Sequence, residues 1–142
     1  MKVLNQLKMQ IFAKSSNESF ARASVGAFVA QLDPLVQDLA DLKTAVSEAV
    51  TNCIVHAYKD CSGEIYITVK ILSENKVCVK IRDKGCGIAD VKRAREPLFT
   101  TGGEERAGLG FAVIEAFTDK LRVTSHVGVG TTVTFYKTLE KK

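Results

Sequence analysis

The chain has 142 residues, a length that suits one domain and a core large enough to need no disulfide or metal staple. Hydrophobic residues make up 46% and charged residues 25%, which excludes an intrinsically disordered chain. The 20 Lys and Arg against 16 Asp and Glu leave a net charge of +4, too small to argue for nucleic acid, whose binders carry a clustered basic face. The longest apolar run, Val25–Ala30 broken by Gly26, falls far short of the ~20 residues that span a membrane. The opening MKVLNQLKMQ lacks the apolar stretch and cleavage site of a signal peptide. The expectation is a single cytoplasmic domain, 1–142, with no membrane and no direct nucleic-acid partner.

Residues Leu4–Phe12 alternate Leu7, Met9 and Ile11 with Lys8 and Gln10, which predicts a strand. Ser15-Ser-Asn-Glu18 has the form of a capping box and opens a helix through Phe20, Val25, Phe28 and Val29. Asp33-Pro34 ends it and starts the next, because proline suits a first helical turn. From Leu39 to Tyr58 an apolar face of Leu42, Val46, Ala49, Val50, Cys53 and Ile54 predicts one long helix. Ile65, Ile67, Val69 and Ile71, then Val77, Val79 and Ile81, predict a hairpin turning at Ser73–Lys76. Residues from about 88 to 107 are charged and weakly periodic, with Pro97, Thr100-Thr101 and Gly102-Gly103, and predict a mobile lid. Gly108-Leu-Gly110 opens a helix to Phe117, and the strands Lys120–His126 and Thr132–Leu139 close the chain around Gly128-Val-Gly130. Antiparallel pairs separated by helices, without β-α-β alternation, read as α+β: a two-layer sandwich, a mixed, mostly antiparallel sheet covered on one face by helices.

The four cysteines, Cys53, Cys61, Cys78 and Cys86, form no C-x-x-C pair, so zinc-ribbon spacing is absent. Cys53-x-x-His56 with Cys61 is the one ligand-like cluster, yet Cys53 falls on the apolar face of its helix and reads as a small buried hydrophobe. Neither a metal site nor a disulfide is expected.

Four features carry chemistry. Thr44, Glu48, Asn52 and His56 recur every four residues and stack along one helix face. Such a stripe also serves as a plain solvated face, but Glu one turn from Asn suits a proton acceptor beside a ligand for Mg2+ and phosphate. Asp83-x-Gly85-x-Gly87 follows a strand, where glycines bring a ligand close to the main chain and an Asp accepts from a purine amino group. An ordinary Asp/Gly turn has the same spelling. Gly108-Leu-Gly110, preceded by Arg106, offers helix N–H groups to phosphate, although Leu109-Gly110 stands where a Walker motif needs Lys-Ser/Thr. Gly128-Val-Gly-Thr-Thr132 reads as a hairpin turn whose Thr hydroxyl could reach a ring nitrogen.

The order of these motifs resembles the GHKL (Bergerat-fold) ATPase family over essentially the whole chain. Asn17–Arg22, Phe28–Pro34, Ser47–Asn52 and Pro97–Thr101 are similar in wording to its small anti-sigma serine kinases. The resemblance implies a Bergerat-type sandwich that binds ATP or ADP with Mg2+. It makes Glu48 the general base toward a serine hydroxyl, Asn52 the Mg2+ ligand, and Arg106 a second catalytic group reaching the γ-phosphate or the docked substrate. Asp83 would accept from the adenine amino group, with Thr131 completing that contact through water. Gly85, Gly87, Thr100, Thr101, Gly108 and Gly110 would complete the nucleotide contacts. Arg22 would lie on the partner-binding surface. The implied partners are a sporulation sigma factor of the sigma-F type and an anti-anti-sigma (STAS) protein phosphorylated on serine, with a homodimer expected. A general-stress anti-sigma-B type kinase and a catalytically silent sigma-binding module remain as alternatives. A histidine kinase is disfavoured for want of a phospho-acceptor histidine helix. Two departures stand out: Ala57 follows His56 where the family has Gly, and the lid carries Gly-Gly-Glu-Glu before Arg106.

Overall fold

The computed structural model describes residues 2–58, 63–87, 91, 95 and 103–141, with 103–109 as backbone alone. Along the chain run β1 (Val3–Phe12), α1 (Ser16–Val29), α2 (Val36–Asn52), β2 (Glu64–Leu72), β3 (Lys76–Asp83), α3 (Gly103–Phe117), β4 (Lys120–His126) and β5 (Gly130–Thr138). The alternating apolar residues of β2 and β3 pair in register, Ile67 opposite Ile81 and Val69 opposite Val79, and set the centre of the sheet. The order is β1-β2-β3-β5-β4, and all four pairings are antiparallel. At the β2–β3 turn Glu74 and Asn75 take left-handed backbone (φ 64° and 59°), which matches the twist a tight hairpin needs.

One face of the sheet is covered. Val25 and Val29 of α1, Leu42, Val46 and Val50 of α2, and Phe111 and Ile114 of α3 bury themselves against Ile65, Val79, Ile81 and Phe135. Each such side chain contributes about 1.5–3 kcal/mol of transfer free energy. This is the two-layer α+β sandwich expected of the sequence. No described helix is long and apolar enough to cross a membrane.

Several local expectations are corrected. Ser15 makes no side-chain cap for α1; instead Asn17 Nδ2 donates to the Phe12 carbonyl at 2.8 Å. Ser15 already has helical backbone angles (φ −56°, ψ −34°), which is not the extended geometry an N-cap adopts. Pro34 lies outside α2, whose extended cap residue is Leu35. α2 ends at Asn52 and widens into a π-type turn over Cys53–Ala57, closed by the Tyr58 amide on the Cys53 carbonyl at 3.2 Å. α3 begins at Gly103, five residues before Gly108, so the last residues of the expected lid are helical. Glu-Glu-Arg-Ala is good helix-forming sequence, and acidic residues favour a helix N-terminus. Of the rest of that lid only Val91 and Arg95 lie within the described residues; Arg95 pairs with Glu115 at 3.0 Å.

The end of the chain is strapped to the start of α2. Leu35 donates its amide to the Glu140 carbonyl at 2.9 Å, and the Glu140 amide donates to Asp38 Oδ2 at 2.8 Å. α2 is therefore anchored at its N-terminal turn by a segment beyond β5.

Candidate functional site

Asp83 closes β3 pointing inward, in step with Val79 and Ile81, and is buried among them. Its Oδ1 accepts the amides of Gly85 at 2.9 Å and Thr131 at 3.1 Å, and Oδ2 accepts the Cys53 thiol at 3.6 Å. Burial pushes the carboxyl above its ordinary value, and these three donors pull it partly back. Burial, then the neighbouring Asp83 charge, hold the Cys53 thiol well above its usual range, so it is a neutral S–H donor. The result is a carboxylate fixed in orientation at one end of the sheet, below the C-terminal end of α2.

Thr131 stands beside it at the start of β5, its hydroxyl 2.7 Å from that of Ser125 on β4. Three glycines allow the approach of the surrounding turns. A Cβ on Gly85 would meet the Ala57 carbonyl oxygen at 2.3 Å, one on Gly87 (φ 79°) that of His126 at 2.3 Å, and one on Gly130 (φ 137°) that of Asp83 at 2.2 Å. The Cys86 and Gly128 amides bond across the same junction to Ala57 and Cys86 carbonyls. Turns after α2, after β3 and between β4 and β5 are thereby locked around Asp83.

On the helical side Asn52 ends α2, and its Nδ2 is buried with no hydrogen-bond partner among the described residues. Burying an amide nitrogen in that state costs about 1–3 kcal/mol, so a ligand oxygen is the natural complement. Gly110 of α3 faces it, and a Cβ there would lie 3.0 Å from both polar atoms of the amide. These residues fit the phosphate end of a nucleotide with Mg2+: a donor for a phosphate oxygen, a carbonyl oxygen for the cation, and a side-chain-free helix wall. Glu48 precedes Asn52 by one turn and is half-buried on the same helix. Thr44 spends its hydroxyl on the Ala40 carbonyl at 3.0 Å, and His56 lies in the π-type turn that follows α2.

The structure thus gathers Asn52, Asp83, Gly85, Gly87, Gly110 and Thr131 at one end of the sheet. Gly108 falls inside α3 and not at its start; its surroundings, with the side chain of Arg106, lie outside the description. Thr100 and Thr101 lie outside the described residues. Arg22 is exposed on α1. Sequence reasoning missed two residues. Cys53 reads as core but donates to Asp83. Tyr58 accepts the Lys84 amide at 2.7 Å and donates to the Glu64 carbonyl at 2.7 Å, fixing the start of the Gly85 turn. The only signal for either was its place just beyond Asn52.

A histidine kinase-like ATPase domain matches residues 13–137. The chain belongs to that family. Within it, the chain is 52% identical over 138 residues to the anti-sigma F factor of Caldanaerobacter subterraneus subsp. tengcongensis, covering 96% of both chains. It is 48% identical to the anti-sigma F factor of Bacillus subtilis over 139 residues, covering 96% of this chain and 94% of that one. The histidine kinase-like fold is also found in solved structures. The RsbU and RsbW domains of a Mycobacterium tuberculosis protein superpose with a TM-score of 0.72 at 24% identity, over 97% of this chain and 33% of that one. The histidine kinase domain of the Erythrobacter litoralis blue-light activated kinase gives 0.59 at 20% identity, over 86% and 60%.

Proposed function

We propose that this protein is an anti-sigma factor of the sigma-F type and an ATP-dependent protein serine kinase. It binds and silences a sporulation sigma factor and phosphorylates an anti-anti-sigma protein on serine. The observation that carries this reading is the Asn52 amide, unsatisfied among the described residues and held against Gly110, one turn from Glu48 and at the same end of the sheet as Asp83. Near-full-length similarity to anti-sigma F factors supports the choice of partners.

In this reading Asp83 accepts from the adenine amino group, its orientation fixed by Gly85, Thr131 and Cys53, and Thr131 completes the contact through water. Gly87 lines the base. Gly108, Gly110, Thr100 and Thr101 serve the phosphates, and Asn52 holds the cation. Bound Mg2+ would neutralise phosphate charge. Glu48 takes the proton of the substrate serine hydroxyl as its oxygen bonds to the γ-phosphorus and the bond to the ADP oxygen breaks. Arg106 faces the charge on the transferred group. Such a site works by positioning and electrostatics.

Arg22, exposed on α1 near the exposed Phe20, belongs to the partner surface. ADP and ATP select between partners through different contacts in each state. A homodimer is supported by β1, an edge strand with Val3, Leu4 and Phe12 exposed. A cytoplasmic location fits these partners.

The test is incubation with labelled ATP, Mg2+ and the anti-anti-sigma protein, with pull-down of the sigma factor in ADP and in ATP. Acid-stable, base-labile label on the partner supports a serine kinase. Acid-labile label, or none, overturns the reading.

A further inference from the structure

The face of the sheet opposite the helices is basic. In register, Lys8, Thr68, Lys80, Thr134 and Arg122 form one row across all five strands. The flanking rows add Lys70 and Lys120 on one side and Arg82 on the other, and Lys76 stands at the start of β3. Each alternates with an inward apolar neighbour along its strand, so all seven cations share the outer face. The one outward carboxylate on these strands, Glu64, accepts the Tyr66 hydroxyl at 3.0 Å. Among the described residues no ion pair involves any of the seven. The net charge of +4 therefore conceals a separation: a strongly positive sheet face on a chain whose remainder is slightly negative.

The centre of this face is concave. Lys8, Thr68, Lys70, Cys78 and Lys80 line a depression of about 140 Å3 in which, among the described residues, three ammonium groups and a hydroxyl meet no acid. Around it, cations recur at alternate strands, about 10 Å apart, and Lys80 and Arg82 stand two residues apart on β3, about 7 Å apart. Protein interfaces are depleted in Lys and built on apolar or aromatic anchors. Here the remaining outward residues of the central strands are mostly Thr, with Cys78, Tyr66 and Tyr136. The two tyrosine rings are already covered, Tyr66 by Arg82 at 4.9 Å and Lys84 at 5.0 Å, and Tyr136 by Lys76 at 5.2 Å. They hold cations in place and present no free platform for stacked bases.

We infer that this sheet face is a binding surface for the phosphodiester backbone of nucleic acid, engaged without regard to sequence. Lys, Arg and Thr are the side chains that contact phosphate. The surface is separate from the candidate nucleotide site, which lies between the sheet and the helices.

The test is fluorescence anisotropy of the whole protein with a labelled random-sequence oligonucleotide, as a single strand and as a duplex. Both forms bind at about 50 mM salt, and affinity falls with a log–log salt slope of about −2 or steeper, as three or more neutralised phosphates require. Lys70→Glu with Lys80→Glu weakens binding at least about tenfold while the unfolding midpoint and ATP affinity hold. Should that pair fail to fold, Lys8→Gln with Arg122→Gln at the ends of the row lowers the affinity and flattens the slope. No binding at about 50 mM salt, unchanged binding by the substituted proteins, or tighter binding to a polyglutamate chain of equal length each overturns the inference.

Discussion

Gly110 lies directly against Asn52: a Cβ on the glycine would stand 3.0 Å from both the oxygen and the nitrogen of the amide. The contact joins the last residue of α2 to the second turn of α3, and the amide nitrogen has no partner among the described residues. Gly110→Ala displaces the Asn52 amide from that geometry. The gain of helix propensity, up to about 1 kcal/mol, offsets the crowding, so the unfolding free energy stays within about 1 kcal/mol of the parent. ATP affinity, measured by calorimetry, falls at least about tenfold, the equivalent of 1.4 kcal/mol. Equal ATP affinity would remove Asn52 from the phosphate site.

Asp83→Asn keeps an oxygen for the Gly85 and Thr131 amides, so the turn persists with a loss of about 1–2 kcal/mol. In the proposed site it replaces the acceptor for the adenine amino group with a donor. ATP binding weakens by about a hundredfold, the scale of a lost charged hydrogen bond, while GTP binding weakens no further. Calorimetry with both nucleotides checks it.

Glu48→Gln removes the proposed proton acceptor and leaves shape and helix intact. Serine phosphorylation of the partner slows by about 10²–10⁴-fold, the usual contribution of a general base. ATP affinity and sigma-factor binding stay at parental values. Single-turnover phosphotransfer at parental rate would exclude this role.

Acidity separates binding from stability. Burial raises the folded-state pKa of Asp83 above its unfolded value. The ionised form therefore costs stability at neutral pH, a cost fully present above the folded value and relieved as pH falls toward the unfolded one. Recognition by the carboxylate runs the other way. ATP affinity declines on acidification while ordinary carboxylates are still ionised, and this group adds no loss of stability over that window. Cys53→Ala removes a donor to the charged form and moves the midpoint of the decline upward. Calorimetry across a pH series reads both, with Asp83→Asn as the flat control.

Gly130→Ala is a test of the turn lock. At φ 137° only glycine is comfortable, and the new Cβ would press on the Asp83 carbonyl oxygen at 2.2 Å. The unfolding free energy measured in urea falls by about 3 kcal/mol or more, since strain and a backbone clash add. Gly128→Ala, also at positive φ (78°) but with nothing within 4 Å, costs about 1–2 kcal/mol.

The hairpin of β2 and β3 was legible because Ile65, Ile67, Val69 and Ile71, then Val77, Val79 and Ile81, alternate within each strand, a pattern that a one-residue slip would expose to water. Asp83, Gly85 and Gly87 were legible because glycines cluster where backbones must approach closely. The role of Cys53 was not: an apolar period assigns it to the core, and nothing in spacing tells that its thiol meets a carboxylate 30 residues away. The basic face was hidden for a similar reason. Its cations are distributed over four strands, one to three on each, and only the strand register assembles them. The start of α3 was misplaced because two adjacent glycines outweighed the helix-forming residues after them.

The strap between Glu140 and Asp38 spans 102 positions. At a synthesis rate of about 5–20 residues per second, the N-terminal turn of α2 waits roughly 5–20 s after leaving the ribosome for the carbonyl and amide that secure it. The helix bearing Glu48 and Asn52 is thus pinned late, after the sheet has closed over the strand β5. A nascent chain cannot hold nucleotide in this geometry until translation has passed the last strand, and silencing of its target begins only with the finished fold.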